Sequence, residues 1–403
     1  MIEHVSAVEV DDGRQSRAEA ARRVVVVITG VEEFGTRTFL LTQFRHAEQA
    51  GICFSYLAAQ NGEFAKTLRR AGASVSIAGG AISLGHPGHL LLLPFYWLFR
   101  LPRLYAAYAG IRRFLRRTPC EILYAHTYYG LVICRLAARG MNCRVVGQLH
   151  NNLNERRLAG LQRILISLVL AALADRLVAI SDFVAASLWG PARRKACRIY
   201  NGIDVRAIAA AVQGIREDPR RIVIVGRLVA WKKQQVAIRA VKILHDRGID
   251  CELEIIGGRG AASDRHHRSL RDLVDGLDLS EHVHFAGVVS PPYDRIAAAA
   301  ICVSCASHEP FGLVVIEAAA CGTAMVAADA GGTAELIEDR RTGLLFRPDD
   351  PAALADALAS LLGNAPLRAS LAEAARGRAL ERYDVANHLN TLRFCFDAVV
   401  ARP

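Results

Sequence analysis

The chain has 403 residues, of which 52% are hydrophobic and 22% charged, so it can build two or three globular domains and is unlike a disordered chain. Its net charge of +11 lies in the first half, since residues 1–200 carry 26 Lys and Arg against 13 Asp and Glu, whereas residues 201–403 carry 24 against 26. This asymmetry indicates either an anionic partner of the first half (a membrane, a nucleic acid or an acidic acceptor) or solvated arginine faces without a partner.

The N-terminal residues 1–22 are polar and aperiodic, and we expect a flexible tail there. Several acidic residues and the lack of an apolar core argue against a secretory signal. The apolar stretches 90–99 and 164–180 are too short, or too interrupted by charge, for a spanning helix of about 20 apolar residues. We therefore expect a cytoplasmic protein, held at most at the inner face of the membrane.

Short apolar runs alternate with segments of helical spacing over residues 23–205. The first run, 24–29, is β-branched and closes at Gly30, which is typical of a buried parallel strand. The alternation predicts a doubly wound α/β domain of Rossmann-like type. Its further predicted strands are 52–58, 74–77, 122–125, 145–149 and 177–180, with helices that include 36–49 and 63–71.

The same alternation restarts after the turn-rich segment 200–204 and predicts a second Rossmann-like domain over 206–380. We expect a last helix in 381–403 that packs back on the first domain. Ligands of such sheets bind beyond the carboxyl ends of the strands, so two domains that face each other would place a substrate in the cleft between them. The predicted strands of the second domain are 221–225, 252–256, 283–285, 300–305, 324–327 and 343–346.

The most informative segment is 307–322, in which Glu309 and Glu317 are the only acidic residues. Pro310 favours the first turn of a helix and Gly322 its end, so we predict a helix between them. Because this helix is otherwise apolar, the Glu317 carboxylate is costly unless a buried cation or a polar ligand satisfies it. Glu309 precedes the helix, whose first amides suit a phosphate. Alternatively, Glu317 makes a structural ion pair and Glu309 caps the helix.

Two cations follow the first predicted strand of the second domain. Arg227 and Lys232 lie at the carboxyl edge of that sheet, in the same domain as the two glutamates. Arginine can fork onto phosphate oxygens and lysine adds a point charge, so together they can neutralise a diphosphate without a metal ion. The sequence has no Asp-rich metal motif, and we expect no metal and no other cofactor. The alternative is an ordinary pair of surface cations.

Candidate site residues of the first domain follow its strands. His126 comes directly after a predicted strand, and His150 is a similar but weaker candidate. Each either faces a substrate or has a structural role. Gly35 lies in the loop 30–36 that opens the first helix, where backbone amides can approach an anion.

The ten cysteines are scattered, and the one close pair is Cys302 and Cys305. This pair lacks a second CxxC and a histidine pair at ligand spacing, so the cysteines do not indicate a zinc site. Free, mostly buried thiols are what we expect of a protein in a reducing cytosol.

Taken together, the motifs resemble a known family. The frame E-P-F-G-L-x-x-x-E at 309–317, preceded by G-R-L-x-x-x-K at 226–232, is similar to the retaining nucleotide-sugar glycosyltransferases of family 4 (glycosyl transferases group 1). Shorter matches, such as 200–204, 256–258 and 331–337, extend over most of the chain. The resemblance implies the GT-B architecture, in which two Rossmann-like domains face each other across a cleft.

The resemblance also implies a role for each candidate residue. Glu317 would hold the ribose hydroxyls of the donor, and Glu309 would contact the transferred sugar near its reacting face. Arg227 and Lys232 would bind the diphosphate, and His126 would touch the donor sugar from the first domain. The remaining implied contacts are the amides of Phe311, Gly312 and Leu313 toward donor phosphate or sugar hydroxyls, and the Gly35 loop toward the diphosphate or the acceptor.

Two departures from the family pattern concern loops. Phe34 precedes Gly35 where the family often has a Gly-Gly pair, and Lys233 follows Lys232 where it often has glycine. The first departure bears on the acceptor loop, and the second adds a charge. The resemblance implies retention of anomeric configuration, for which we expect a front-face mechanism through an oxocarbenium-like state, with charge on the leaving phosphate stabilised by preorganised cations.

The predicted function is hexosyl transfer from a UDP- or GDP-linked sugar to a glycan or lipid-linked glycan in cell-envelope polysaccharide synthesis. The segment 89–118 carries six arginines beside an apolar run, and it either contacts an anionic membrane or forms a core helix with a solvated arginine face. Rival functions are a sugar-nucleotide epimerase, a phosphorylase, or a catalytically dead nucleotide-sugar-binding module. Nucleic acid is not an expected partner, because no recognised motif or aromatic platform accompanies the positive charge.

Overall fold

The computed structural model describes residues 21–28, 34–79, 93–153, 160–258 and 264–401. They form two compact units, of which the second comprises Ser181–Phe183 and Ile203–Asp384, and the first comprises the rest. The chain thus passes from the first unit to the second after Gly202 and returns to the first unit at Val385. The predicted boundaries were after residue 205 and after residue 380. Of the predicted tail, residues 1–20 lie outside the described part of the chain.

The first unit is built on a seven-stranded parallel sheet with the strand order β3-β2-β1-β4-β5-β6-β7. Its first strand starts at Arg22, which was wrongly predicted to belong to the tail. The guanidinium of Arg22 pairs with the carboxylates of Glu121 and Asp397, and these ion pairs hold the residue at the start of the sheet. The strands are β1 Arg22–Ile28, β2 Ile52–Ala58, β3 Val75–Ile77, β4 Ile122–Ala125, β5 Arg144–Leu149, β6 Arg176–Ala179 and β7 Ala196–Arg198.

Strand β7 is missing from the predicted set. It has only three residues and none of them is fully buried, so it lacks the apolar run by which the other strands are recognisable. It pairs with β6 through Cys197 and Val178 and closes that edge of the sheet.

Helices cover the first sheet. Phe34–His46, Glu63–Arg70 and Val385–Val400 share one hydrophobic core with alternate residues of the central strands, such as Val24 and Tyr124. The other helices include the connection from β3 to β4 and the connections between the strands from β4 to β7, and right-handed crossovers place them on the second face. They are Leu93–Arg117, Tyr128–Ala138, Gly160–Leu173 and Gly190–Lys195, and the short helix Asp182–Ala186 begins where the chain contributes three residues to the second unit.

The last helix of the chain, Val385–Val400, belongs to the first unit although it follows the second in sequence. Leu389, Leu392 and Phe396 point into the first core, and the ring of Phe396 meets Tyr124 edge-on at 5.3 Å. The helix thus fills the part of that face nearest the sheet centre.

The second unit is built on a six-stranded parallel sheet with the order β10-β9-β8-β11-β12-β13. Its core lies between alternate strand residues and two long helices, Gln234–Asp246 and Pro351–Leu362. The strands are β8 Asp218–Val225, β9 Glu252–Ile256, β10 Val283–Gly287, β11 Ala299–Ser304, β12 Ala324–Ala328 and β13 Leu344–Phe346. The remaining helices are Val205–Ala211, Asp264–Asp275, Tyr293–Ala297, Leu313–Cys321, Thr333–Leu336 and Ala365–Arg382.

Both sheets reverse their strand order once. In the first sheet the reversal lies between β1 and β4, and in the second it lies between β8 and β11. At such a switch point the loops leave in opposite directions and open a crevice at the carboxyl ends of the strands. The two-domain, doubly wound α/β prediction is confirmed, and each unit has one place where a ligand is expected.

Among the helices of the described segments, none combines the length and the apolar character that a membrane crossing requires.

Candidate active site

Two predicted cations leave the carboxyl end of β8. The amide of Gly226 donates to the carbonyl of Ile256, and Leu228 donates to Gly258, so the loop is tied to the loop after β9. A 3-10 turn over Ala230–Lys232 then aims the Lys232 side chain back over the loop. The indole of Trp231 lies 4.7 Å from the Lys232 ammonium and 6.0 Å from the Arg227 guanidinium, measured to the ring centroid. Both cations thus lie within cation–π distance of the same indole ring.

The ammonium of Lys232 forms an ion pair with the carboxylate of Glu309 across the switch point of the second sheet. Lys232 follows β8 and Glu309 follows β11, and their side chains are only 18% and 13% exposed. Because such a pair is largely removed from water, loss of either partner leaves a costly uncompensated charge. Separate ligands were expected for these two residues, whereas the structure shows that each is the other's partner.

The helix that carries Glu317 begins later than predicted. It runs over Leu313–Cys321, and Pro310 lies in the turn before it rather than in its first turn. The cause is Gly312, whose φ of 102° breaks the helical path before the helix starts. The predicted end at Gly322 is confirmed, since its φ of 77° gives a left-handed cap. Residues 310–312 therefore form a turn between Glu309 and the start of the helix.

A second glycine turn supports Glu309 from the end of β12. The amide of Gly332 donates to the Glu309 carbonyl at 2.7 Å. A Cβ on Gly331 would lie 2.7 Å from that same carbonyl oxygen, and a Cβ on Gly312 would lie 2.9 Å from Oγ1 of Thr333. The two loops touch backbone to backbone, which only glycine permits at these positions. The motif 331–337 is visible in the sequence, but this supporting role was missed.

The hydroxyl of Thr333 is an unexplained polar atom beside that turn. The residue is completely buried, and Oγ1 has no hydrogen-bond partner among the described residues. A buried hydroxyl without a partner costs free energy, so a ligand or a water molecule is the expected partner.

Glu317 lies on the same side of the second unit, with its carboxylate partly removed from solvent. Desolvation raises the pKa of this carboxyl to about 7, and the charge of Lys232 offsets part of the rise. Within the described ranges no side chain makes a hydrogen bond or an ion pair with it. A structural ion pair of Glu317 is therefore absent from this part of the chain, and ligand binding by Glu317 stays a prediction.

A cavity of about 290 Å³ opens beside the Arg227 loop, beyond the carboxyl ends of β9 and β10. Its walls include the backbone of Gly257 and Gly258 and the side chain of Leu228. The Phe285 ring is flanked by the Arg271 guanidinium at 5.2 Å and by the ring of His267 at 5.3 Å. A flat aromatic wall with a cation is suited to a planar, polar ring. This pocket was not predicted, because its residues come from four separate segments.

The chain segment Ser181–Phe183 closes the far side of the Pro310 turn within the second unit. The Ser181 hydroxyl donates to the Pro310 carbonyl at 2.6 Å, and the amide of Asp182 donates to the Glu335 carboxylate at 2.8 Å. The segment is therefore bonded both to the Pro310 turn and to the helix Thr333–Leu336.

In the first unit, His126 leaves β4 at the switch point of that sheet, and it is 4% exposed. Its Nδ1 lies 3.0 Å from Nε2 of His150, and the two rings stack at 5.2 Å. Its Nε2 is buried and has no hydrogen-bond partner among the described residues. Desolvation, with smaller contributions from His150 and His388, lowers the pKa of His126 well below its usual value. The ring is thus neutral near pH 7, and one of its nitrogens has no partner among the described residues.

The histidines beside His126 are neutral as well. Desolvation lowers the pKa of His150 and of His388 to about 4 each. His388 donates from Nδ1 to the Tyr200 carbonyl at 2.6 Å and accepts from the Gln43 amide at 2.7 Å. The last helix therefore supplies one member of the polar cluster behind His126.

Gly35 is the second residue of the helix Phe34–His46 and is exposed. Residues 29–33 of its loop, including Gly30, lie outside the described segments. Gly35 and His126 both belong to the first unit, whereas the second unit brings together Lys232, Glu309 and Glu317. The roles of all these residues stay predictions.

Two family profiles match consecutive parts of the chain. The profile of glycosyl transferases group 1 matches residues 205–378, and that of glycosyltransferase family 4 matches residues 60–207. The matches meet where the chain passes from the first unit to the second.

Curated relatives match over shorter stretches. A D-inositol 3-phosphate glycosyltransferase of Paenarthrobacter aurescens is 35% identical over 40% of this chain and 40% of its own length. An enzyme of the same name from Streptomyces avermitilis is 30% identical over 53% of this chain and 50% of its own length. The chain thus spans half or less of the length of these relatives.

Solved structures match over nearly the whole chain. The Anabaena protein HepE in complex with UDP superposes with a TM-score of 0.76 at 19% identity, covering 94% of this chain and all of that one. Sucrose-phosphate synthase from Thermosynechococcus elongatus gives a TM-score of 0.71 at 19% identity, with the same coverage. At this identity the likeness establishes the fold. With two Rossmann-like domains of the GT-B type and both family profiles matched, the chain belongs to the glycosyl transferases group 1 of glycosyltransferase family 4.

Proposed function

We propose that the protein transfers a glycosyl group from a nucleoside diphosphate sugar to an acceptor hydroxyl. The observation that carries this proposal is the Lys232–Glu309 ion pair at the switch point of the second sheet. A cation and a carboxylate meet there where an open α/β sheet binds its ligand. The phosphate of a donor can replace Glu309 as the partner of Lys232. The released carboxylate of Glu309 can then accept hydrogen bonds from hydroxyls of the sugar.

The nucleoside end of the donor fits the two features beside this ion pair. The cavity walled by Phe285 and Leu228 has room for a planar base. Glu317, whose carboxyl is influenced by the charge of Lys232, is proposed to accept hydrogen bonds from the ribose hydroxyls. The structural relative HepE binds UDP and UDP-glucose, which favours UDP over GDP as the nucleotide here. The Phe285 ring and the Arg271 guanidinium would cover the base.

The diphosphate is neutralised by protein cations in this proposal. Arg227 and Lys232 both lie near the Trp231 ring, and Arg227 is exposed at the loop. Two fixed cations at the leaving group stabilise the charge that develops there as the glycosidic bond breaks. We therefore propose a reaction that needs no metal ion and is insensitive to EDTA.

The sugar end of the donor involves Glu309 and the turn that precedes the helix Leu313–Cys321. The amides of Phe311, Gly312 and Leu313 lie at the start of that helix, and they are proposed to face donor phosphate or sugar hydroxyls. His126 is proposed to touch the sugar through its open Nε2. With Glu309 as the carboxylate at the reacting face, we propose retention by a front-face route through an oxocarbenium-like state.

The test is a transfer assay with full-length protein. The assay combines each of four donors with lipid-linked glycan acceptors and with D-inositol 3-phosphate, and it follows nucleotide release with and without EDTA. The donors are UDP-glucose, UDP-galactose, UDP-N-acetylglucosamine and GDP-mannose. We expect release of UDP with one donor, and unchanged rates in EDTA. Nucleotide binding without any release would instead identify a dead binding module.

An acceptor held at a membrane is favoured by an apolar stripe on the helix Gly160–Leu173. Leu161, Leu165, Leu168 and Val169 are 67%, 52%, 41% and 51% exposed, and their spacing puts them on one side of the helix. Exposed apolar stripes of this kind mark sites of association.

Positive charge beside the stripe favours an anionic bilayer as its partner. The next helix, Gly190–Lys195, packs on Gly160–Leu173 and carries the exposed Arg193 and Arg194. The half-exposed Trp189 precedes it, with its amide donating to Ser167. Leucines, a tryptophan and arginines are the residues by which a peripheral protein lies on anionic lipid.

The membrane contact predicted from the sequence lies elsewhere, in residues 89–118. Residues 89–92 and the side chains of 93–101 are outside the described part of the chain. In the remainder, Ile111 and Leu115 are buried and Arg112 donates to the carbonyls of Ala137 and Arg139. This part therefore matches the alternative of a core helix with a solvated arginine face.

Vesicle flotation distinguishes the two surfaces. Leu165→Ser/Val169→Ser should abolish binding to anionic vesicles, whereas Arg113→Gln/Arg117→Gln should retain most of it. No flotation with either kind of vesicle would remove the membrane from the proposal, and equal flotation with neutral and anionic vesicles would remove the anionic lipid from it.

A further inference from the structure

Metal-ligating side chains gather at the amino ends of β9 and β10, the sheet edge opposite to the Lys232–Glu309 pair. His245 lies in the last turn of a helix, Asp250 precedes β9 and His282 precedes β10. One ligand atom of each side chain lies within 4.8 Å of the other two. The five residues of β9 separate this cluster from the donor-side loops by about 16 Å.

The hydrogen bond of His245 leaves one ring nitrogen for a ligand. Its Nε2 lies 2.9 Å from the carbonyl oxygen of Cys251, and a carbonyl only accepts, so Nε2 carries the proton. The lone pair of the neutral ring therefore stands on Nδ1. Metal-bound histidines are oriented in this way, by donating their other nitrogen to a carbonyl or carboxylate.

The second histidine is adjacent to the first. The ring centroids of His245 and His282 lie 4.1 Å apart at an interplanar angle of 47°, and both residues are half-buried. Two imidazoles this close repel each other when protonated, whereas a shared metal ion attracts both lone pairs.

Asp250 completes the cluster from its exposed side. Its Oδ2 accepts from Arg220 at 2.8 Å, and the two side chains are 59% and 52% exposed. An ion pair this exposed contributes little free energy, so it does not prevent the carboxylate from turning to a metal ion. Arg220 also contacts Glu252 at 3.6 Å and keeps a carboxylate partner if Asp250 turns away.

We propose that His245, Asp250 and His282 bind a divalent transition-metal ion of the zinc class, with water in the remaining position. Two imidazoles and one carboxylate suit Zn²⁺ rather than Mg²⁺ or Ca²⁺, which prefer all-oxygen sites. Ligands at 2.0–2.2 Å from Zn²⁺ stand about 3.3 Å from one another, so small rotations of the three side chains close the site. The bound ion ties the end of one helix to the starts of two strands.

The test titrates metal-free full-length protein with Co²⁺ and Zn²⁺, following the visible spectrum of Co²⁺, heat of binding and Tm. We expect one equivalent bound, a tetrahedral Co²⁺ spectrum without a thiolate charge-transfer band, and a Tm that rises with Zn²⁺ but not with Mg²⁺. His282→Gln and Asp250→Asn should each weaken binding by about tenfold or more. UDP binding should stay unchanged in both, since the donor side is distant.

The matched control is His284→Gln, which removes an exposed histidine from β10 and leaves the cluster intact. It should bind Zn²⁺ like the wild type. If His282→Gln fails to fold, His245→Gln takes its place. Equal affinity of cluster variants and control, a thiolate band that places the metal on cysteines, or no binding to the wild type would each overturn the proposal.

Discussion

Lys232 and its neighbour Lys233 have different ion-pair partners. Variants of the two residues can therefore separate a specific donor contact from a general effect of charge. Lys232 pairs with Glu309 at the switch point, whereas Lys233 pairs with Asp349 at 2.8 Å. A charged hydrogen bond to phosphate contributes about 1.5–3 kcal/mol, so Lys232→Ala should weaken UDP binding roughly 10- to 150-fold. Lys233→Ala should change it little. Calorimetric titration checks both, and equal losses would mean that only overall charge matters.

Glu317 should make stability depend on pH. Because burial raises its pKa to about 7, the folded protein binds a proton there that the unfolded chain releases above its ordinary value of 4.5. The stabilising contribution of this proton is fully present below pH 4.5 and is lost as the pH rises through 7; its size is on the order of 3 kcal/mol. Glu317→Gln should therefore be more stable than the wild type at pH 8 and similar at pH 4.5.

Urea unfolding of the two proteins at both pH values measures that difference, with the exposed Glu373→Gln as control. UDP binding by the wild type should also tighten from pH 6 to pH 8, because the ribose contact needs the carboxylate. A stability gap that does not change with pH would show that Glu317 is already ionised in the free protein.

His126 should matter for the sugar and not for the nucleotide. Its open Nε2 can hydrogen-bond a sugar hydroxyl, and an interaction made in the transition state contributes about 100-fold to kcat. His126→Ala should lower kcat by about that factor and leave UDP affinity within about twofold. Because the pKa of the ring is well below its usual value, its protonation should leave no step in the rate between pH 6 and 8. A matching loss of UDP affinity would place His126 at the nucleotide instead.

Among the secondary-structure elements, the last helix should be required by the first unit. Phe396 is fully buried against Tyr124 in the first core, so Phe396→Ala should destabilise the protein by about 3–5 kcal/mol. The neighbouring Phe394 is 78% exposed, and Phe394→Ala is its matched control. Urea unfolding followed by fluorescence would compare them. A similar small change for both would mean that the helix adds little to the first core.

The elements differ in how well the sequence predicts them. Long buried strands such as β1 and β11 are predictable, because a continuous apolar run between two turns is typical of a strand that is covered on both faces. The start of the helix Leu313–Cys321 was misplaced because Pro310 is compatible with a helix start, and the conformation of Gly312 depends on its contact with Thr333. Similarly, the motif residues were recognisable, but neither the Lys232–Glu309 pairing nor the base-sized cavity could be predicted, since both join distant segments.

In the molecule as a whole, the excess of positive charge and the proposed donor site lie in different halves of the chain. The second half, with 24 basic and 26 acidic residues, contains the proposed donor site, whereas the first half carries the excess of 26 basic over 13 acidic residues. That excess is consistent with an acceptor or a surface that is anionic. The proposed donor binding and membrane binding can therefore be tested separately, because the residues proposed for them lie in different units.

Everything proposed for the reaction depends on the second unit binding a nucleoside diphosphate sugar around Lys232, Glu309 and Glu317. A thermal-shift screen of UDP- and GDP-sugars on the wild type and on Glu317→Ala measures this binding. A ligand at 100 times its Kd adds about 2.7 kcal/mol of stability, so we predict a clear rise of Tm for the wild type with a UDP-sugar and a much smaller rise for the variant. No rise of Tm for the wild type with any nucleotide sugar would contradict the proposed donor site.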